Sequence, residues 1–398
     1  MSLLIDRLFS SIALGHLIVD ILNGQRAVLL TYWSGPFHLS NAMIGLISTI
    51  YVVSAGLVQP VFGYFADRIG PRWLVSGGVL WMGFWFVMAI FTPSSSALVF
   101  LLLASIGSGA FHPAGAAQAA MLGRDLMADK ETTSTSLFFL FGQSGAFFGP
   151  MMGGPLLDRF GIFGLFPLVF FTIPVAGWAW WNLRHIGPFN MGAKVEKTGD
   201  EVKTSWFSRG VIALVLCAAF LSWVQQNMIT FMPKYLSDLG QSPSTYGILS
   251  GLFMGGYAIG NVFGGVQADK YGKEITIIIS LFLGAIPLVI LPIMGYNSLY
   301  YFLVPLSGFL TGSAFCVIIV LAQNLVKGGT GLVTGLVLGF MFSSGSLGSL
   351  ITGSIADKYG FIPVFYSTAA LCLAGAVSAL FLKRNIKQKS PDRSGLEI

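Results

Sequence analysis

The sequence predicts an all-α integral membrane protein of twelve transmembrane helices, arranged as two pseudo-symmetric six-helix bundles. Three observations predict it. Apolar residues make up 55% of the 398 residues, charged residues 10%, and mean hydropathy is +0.78; a soluble domain carries about 25% charged residues. Twelve apolar stretches follow one another, at 8–31, 42–65, 73–91, 97–122, 135–157, 162–183, 209–233, 245–267, 275–294, 299–325, 332–355 and 362–382, each near the ~20 residues that cross hydrocarbon. Finally, the signature G-x-x-x-D-[RK]-x-G occurs four times, always at the end of an apolar stretch, at Gly63–Gly70, Gly154–Gly161, Gly265–Gly272 and Gly353–Gly360.

The four copies give the domain plan. Asp67 and Asp269 lie about 200 residues apart, as do Asp158 and Asp357, and the copies within each half are about 90 residues apart. The chain reads as a first bundle at 1–184, a polar linker at 185–208, a second bundle at 209–383 and a tail at 384–398. Eighteen Lys and Arg residues fall on the side of the termini, and three, Arg159, Lys234 and Lys358, fall on the other. This bias places both termini in the cytoplasm, and a bacterial inner membrane is the expected location. It also accounts for the net charge of +6 without a nucleic-acid partner. The first apolar run holds His16 and Asp20 and no small-residue cleavage site follows it, so it reads as a span.

Of sixteen acidic residues, only Asp20 maps to mid-span. A charged Asp there costs about 2.5–3.5 kcal/mol, and such residues face cavities or ion pathways. His16, Asp20 and Asn23 share one helix face by their i, i+4, i+7 spacing. Arg26 lies about 80° round from it. His112 lies in the fourth span, in Gly107-Ser-Gly-Ala-Phe-His112-Pro113, which is echoed in the tenth by Gly312-Ser-Ala-Phe-Cys316. Asp20, His16 and His112 are the expected proton-coupling groups. Arg26, Asn23, Gln143, Gln225, Gln226, Asn227, Gln323 and Asn324 are the expected substrate-facing groups, because intramembrane amides either join helices or line a cavity. Pairing of Arg26 with Asp20 stays open as an alternative.

The loops between spans 2–3 and 8–9 are expected to act as conformational latches. They carry Gly63, Asp67, Arg68, Gly70 and Arg72, and Gly265, Asp269, Lys270, Gly272 and Lys273. Glycine permits close helix approach and positive φ, and a carboxylate favours a helix N-terminus across a seam. The fifth span carries Gly145, Gly149, Pro150, Gly153 and Gly154, a face small enough for backbone contact.

These residues carry a resemblance. The first loop resembles the signature of the major facilitator superfamily, and the helix 8–9 loop resembles its second-half copy. The fifth-span run is similar to the antiporter motif of that superfamily's drug–proton exchangers. His16-x-x-x-Asp20 with Phe111-His112-Pro113 looks like the fosmidomycin-resistance branch. The resemblance implies two bundles rocking about a midplane site, with Asp67 stabilising one access state, and efflux of a drug or organic anion against protons. The chain departs from the branch at Ala114 and Ala117, where acidic and basic residues are usual, and in carrying Arg26. An intramembrane Arg suits an anionic substrate.

Other classes fit less well. Gly142-Gln143-Ser144-Gly145 matches a short intramembrane serine-protease pattern, but only His185 follows it, in the linker. No H-E-x-x-H or G-x-x-x-x-G-K-[ST] occurs, so neither an enzyme nor a nucleotide-driven pump is expected. Cys217, Cys316 and Cys372 share no metal-ligand spacing, and neither a metal nor a cofactor is expected. The expected activity is secondary active transport by alternating access, as a proton-coupled antiporter acting in efflux. The alternative is a proton- or sodium-coupled uptake symporter. The expected partners are a small-molecule substrate, a coupling ion (H⁺) and the lipid bilayer, with the protein a monomer.

Overall fold

The computed structural model describes residues 2–126, 131–187, 208–325 and 330–382. The linker expected at 185–208 and the tail expected at 384–398 fall almost wholly outside these. After a short turn of helix, Ser2–Ile5, the first bundle comprises α1 (Arg7–Ser34), α2 (Asn41–Ile69), α3 (Pro71–Phe91), α4 (Ser96–Leu126), α5 (Glu131–Phe160) and a broken α6 (Ile162–His185). The second comprises α7 (Arg209–Asp238), α8 (Pro243–Tyr271), α9 (Lys273–Met294), α10 (Tyr300–Gly312, resuming as Phe315–Leu325), α11 (Thr330–Tyr359) and α12 (Phe361–Ala379). Eleven of these, among the described residues, are long and apolar enough to cross a membrane. The remaining one is α5, which is 30 residues long but diluted by glycine and by Pro150 and Pro155. Its composition is set by the two helices it must touch.

Local signals start and stop the helices. Asp6 caps α1, its Oδ1 accepting from the N–H groups of Leu8 and Phe9, each at 2.9 Å. The last glycine of every signature copy has positive φ: 82° at Gly70, 62° at Gly161, 103° at Gly272 and 78° at Gly360. Each N–H closes on the carbonyl four residues back, which ends one helix and turns the chain into the next. The four copies therefore fold alike.

The core shows how the bundles meet. We name the end holding Arg7 the near end and the other the far end. One apolar cluster runs through the whole first bundle and joins the far half of the second, through Val224, Phe231, Tyr246, Phe253, Tyr300 and Phe365. A separate cluster fills the near half of the second bundle, around Leu214, Cys217, Leu281, Ile318 and Met341. The bundles share a core at the far end and keep separate cores at the near end. Large apolar side chains such as Phe84, Trp81, Ile259, Phe282 and Phe302 are exposed on the outer faces, as expected of surfaces that meet lipid.

Glycine makes the far-end seam close. An added Cβ at Gly154 would lie 2.3 Å from the carbonyl oxygen of Pro243 on α8, and one at Gly353 would lie 2.4 Å from that of Asn41 on α2. Thr49 Oγ1 donates to the Ser346 carbonyl at 2.6 Å, which extends the α2–α11 contact inward. The remaining face of α5 seats α1: a Cβ at Gly145 or Gly149 would strike the carbonyl of Leu17 or Ile21 at 2.3 and 2.4 Å. The fifth-span glycine run is thus the surface on which α1 and α8 rest, and Gly145, Gly149, Gly153 and Gly154 divide between them.

Candidate functional site

The mid-span groups of α1 assemble with α2, α4 and α5 into one polar network inside the first bundle. Asp20 is its centre. Its Oδ2 lies 3.2 Å from His16 Nε2 and its Oδ1 3.6 Å from His112 Nε2. Asn23 Nδ2 donates to Asp20 Oδ1 at 2.7 Å and to Ser108 Oγ at 3.0 Å. Tyr51, on α2, donates to Asn23 Oδ1 at 2.8 Å. The His16 ring stacks on Phe138 with centroids 4.0 Å apart. Gly142 makes this possible, because a Cβ there would fall 2.3 Å from His16 Nε2 and 2.7 Å from Asp20 Oδ2.

Arg26 stands apart from this carboxylate. No acidic side chain lies within ion-pair distance of it among the described residues. It is 6% exposed and its Nε has no hydrogen-bond partner. Its Nη2 reaches across the seam to Gln226 Oε1 at 3.5 Å, the outer limit of a hydrogen bond. Its Cζ lies 5.3 Å from the centroid of the Tyr51 ring, within cation–π range. A buried guanidinium with this coordination is underused, since it offers five donors. The alternative in which Asp20 consumes its charge does not occur.

The predicted amides separate into distinct roles. Gln226 faces Arg26. Gln225 accepts from Tyr257 at 3.3 Å, and Asn227 donates to Thr368 at 3.0 Å, leaving its own Oδ1 unpartnered. Those two hold the second bundle together. Gln143 is half-buried on α5, and the side chains of Gln323 and Asn324 lie outside the described residues. Sequence reasoning missed Tyr51, Ser108, Gly142 and Gln25. The last is buried against α5, with Nε2 donating to the Gly149 carbonyl. A polar residue on the α1 stripe that meets the fifth-span glycines was the available signal for Gln25.

The signature copies behave differently at the two ends. Asp357 crosses the seam to the first turn of α2, accepting from the N–H groups of Asn41 and Ala42 at 2.7 and 2.8 Å. Asp158 approaches in the opposite sense, beside Ser242 and Ser244 at the start of α8, where a Cβ at the neighbouring Gly154 would meet the Pro243 carbonyl. Each carboxylate thus sits at a helix N-terminus of the other bundle. For Asp67 and Asp269, the expected latches, no hydrogen bond or ion pair across the seam is present among the described residues. Arg72 instead stacks on Trp180 at 3.5 Å and Arg68 on Tyr64 at 3.7 Å, both within the first bundle. Lys270 lies 4.9 Å from the Tyr271 ring centroid. Gly63 faces Pro113 and Gly265 faces Cys316, so these two glycines serve packing within each bundle, and Lys273 opens α9.

Comparison with known proteins agrees with this architecture. The chain is 27% identical over 387 residues to the fosmidomycin resistance protein of Escherichia coli (strain K12), covering 95% of this chain and 93% of that one. It is 24% identical over 371 residues to the multidrug resistance protein MdtG of Klebsiella pneumoniae (strain 342), covering 89% and 87%. The crystal structure of the nucleoside transporter NupG superposes with a TM-score of 0.76 at 14% identity, covering 95% of this chain and 100% of that one. Residues 12–235 and 214–397 each match the profile of the Major Facilitator Superfamily, and the chain belongs to that family of membrane transporters.

Proposed function

We propose that the protein is a proton-coupled antiporter that expels a small organic anion or drug by alternating access, with its near end in the cytoplasm. The observation that carries the reading is the separation of charges on α1. Asp20 is engaged by His16, His112 and Asn23, whereas Arg26, six residues on, is buried at the seam with no acidic partner among the described residues. A buried cation without a counter-ion is costly, and an anionic substrate group supplies one. Asp20 with its two imidazoles then holds and releases the coupling proton.

Tyr51 joins the two. Its ring faces Arg26, and its hydroxyl bonds Asn23, which bonds Asp20. An anion that draws Arg26 aside shifts Tyr51 and so loosens the Asn23 hydrogen bond to Asp20. Substrate and proton thereby communicate through one chain of contacts rather than by direct contact. Far-end latches closed by Asp158 and Asp357, with separate cores at the near end, fit a carrier ready to take substrate from the near side. The drug-resistance names of the relatives point to efflux.

The test is proton movement in energised inside-out vesicles challenged with phosphonates, organic acids and cationic drugs. The expected result is collapse of the pH gradient by acidic compounds, absent in Asp20→Asn. Full gradient-driven transport by Asp20→Asn would refute the coupling role. Collapse driven only by cationic drugs would refute the anion site. Substrate accumulation in right-side-out cells would replace efflux by uptake.

A further inference from the structure

The His16–Asp20–His112 cluster has a geometry that protons alone do not require. Both imidazoles use Nδ1 in the same way. His16 Nδ1 lies 2.8 Å from the Phe138 carbonyl oxygen, and His112 Nδ1 lies 2.7 Å from that of Ser108. A carbonyl oxygen only accepts, so each Nδ1 carries the hydrogen. Each Nε2 is therefore the atom turned toward Asp20, one ring to each carboxylate oxygen. Two imidazole lone pairs facing a carboxylate repel it, and the arrangement calls for positive charge in the gap.

A proton satisfies one ring at a time. A divalent cation satisfies all three groups together. Two imidazole nitrogens and a carboxylate oxygen are a donor set suited to Zn²⁺, Co²⁺ and Ni²⁺. Donation of the second ring N–H to a backbone carbonyl is the arrangement that orients histidine toward a metal. The three donor atoms lie within 4.8 Å of one another. Donors at a tetrahedral ion with bonds near 2.0–2.1 Å stand about 3.4 Å apart; His16 Nε2 lies 3.2 Å from one Asp20 oxygen and His112 Nε2 3.6 Å from the other, so each ring stands at ligand spacing from the carboxylate. The rings are also held from behind. His16 is stacked on Phe138, and its ring centroid is 5.0 Å from that of His112, edge to face. Side-chain exposures of 18% at Asp20 and 23% at His112 leave one side of the cluster open for a fourth ligand.

We propose that His16, Asp20 and His112 form a binding site for a divalent transition metal of the Zn²⁺ class, with the fourth position open. The assignment goes beyond proton-coupled efflux and does not depend on it. An ion seated there occupies the groups that proton exchange uses, so occupied carriers stop cycling.

The experiment uses the full chain with any purification tag removed, in nanodiscs, titrated with Co²⁺. One equivalent is expected to give the visible absorption of a tetrahedral Co²⁺ centre, bleached by Zn²⁺. His16→Gln and His112→Gln should each weaken binding at least 10-fold, while His185→Gln, which alters an exposed histidine outside the cluster, should leave it unchanged. X-ray absorption at the zinc edge of the unmodified protein is expected to show two imidazoles, and does not depend on any variant folding. No saturable binding by folded protein, a first shell without imidazole, or equal affinity in His16→Gln and His112→Gln would each overturn the site. Metal binding is read without transport, so loss of proton antiport leaves this result standing, and the reverse holds too.

Discussion

The two bundles share a scaffold but not a chemistry. The register set by Asp67 and Asp269 pairs Asp20 with Ser222, His16 with Ala218, Arg26 with Met228 and Tyr51 with Phe253. Packing supports this register: Gly149 seats Ile21 in the first bundle, and Gly348 seats Trp223 in the second. Turn geometry and the far-end placement of a carboxylate beside a helix start of the other bundle are duplicated in both halves, whereas every ionisable group of the site belongs to one. A rocking carrier needs two matched surfaces to close at either end. It needs only one place to hold a proton, and a second buried carboxylate would add its own insertion cost of about 2.5–3.5 kcal/mol. On the proposed function, duplication serves motion and asymmetry serves coupling.

The largest effects should come from making the first bundle resemble the second. Asp20→Ser is expected to abolish gradient-driven transport, while Ser222→Ala leaves it coupled, both read as substrate-dependent proton flux in vesicles. Arg26→Met should weaken binding of anionic substrates by about 10–100-fold, the worth of a charged hydrogen-bonding partner of about 1.5–3 kcal/mol. Arg26→Lys should recover only part of that affinity, because an ammonium lacks the planar fork. Equilibrium binding in detergent measures both, and unchanged affinity in Arg26→Met would remove Arg26 from the substrate site. Tyr51→Phe keeps the ring over Arg26 and removes the hydroxyl that reaches Asn23. A net loss of about 0.5–1.5 kcal/mol is expected for such a bond. It should appear as a reduced substrate-induced change in proton affinity, with substrate binding itself little altered. Gly142→Ala should destabilise the bundle by about 1–3 kcal/mol through overpacking against His16, seen as earlier thermal unfolding.

Much of this arrangement was legible in the sequence. Composition and the length of the apolar runs define the helices, and the fourfold signature defines the halves. Asp20, His16 and His112 stand out because a charge or an imidazole in an apolar run has few structural excuses. Less was legible where function depends on who faces whom. Tyr51 and Ser108 are ordinary residues in apolar helices until α2 and α4 are placed beside α1. Arg26 and Asp20 share α1 but point to different neighbours, and only packing decides between an internal ion pair and two separate sites. The signature itself specifies a turn with a carboxylate before it. It does not specify which pair of turns holds a partner helix, because that depends on how the two bundles are packed. The near-end pair drew attention through its extra basic residues, Arg72 and Lys273, yet the far-end pair makes the contacts.

The smallest predicted effects test the duplicated half of the comparison. If Asp158 and Asp357 are equivalent latches, neutralising either should cost the interaction of one charge with an exposed helix N-terminus, about 0.3–1 kcal/mol. Asp357→Asn and Asp158→Asn should then each raise the population open at the far end by about 2–5-fold. The two contacts lie on different helix pairs, α11 with α2 and α5 with α8, so the double variant should show the sum of the two free energies. Spin labels on the α1–α2 and α7–α8 loops report this as a longer inter-loop distance. Equal single effects and an additive double would establish that both halves contribute to closure alike. A large effect from one and none from the other would mean that the asymmetry of the site extends to the gate. If Asp67 and Asp269 are the near-end counterparts of these carboxylates, Asp67→Asn and Asp269→Asn should move the same equilibrium in the opposite direction.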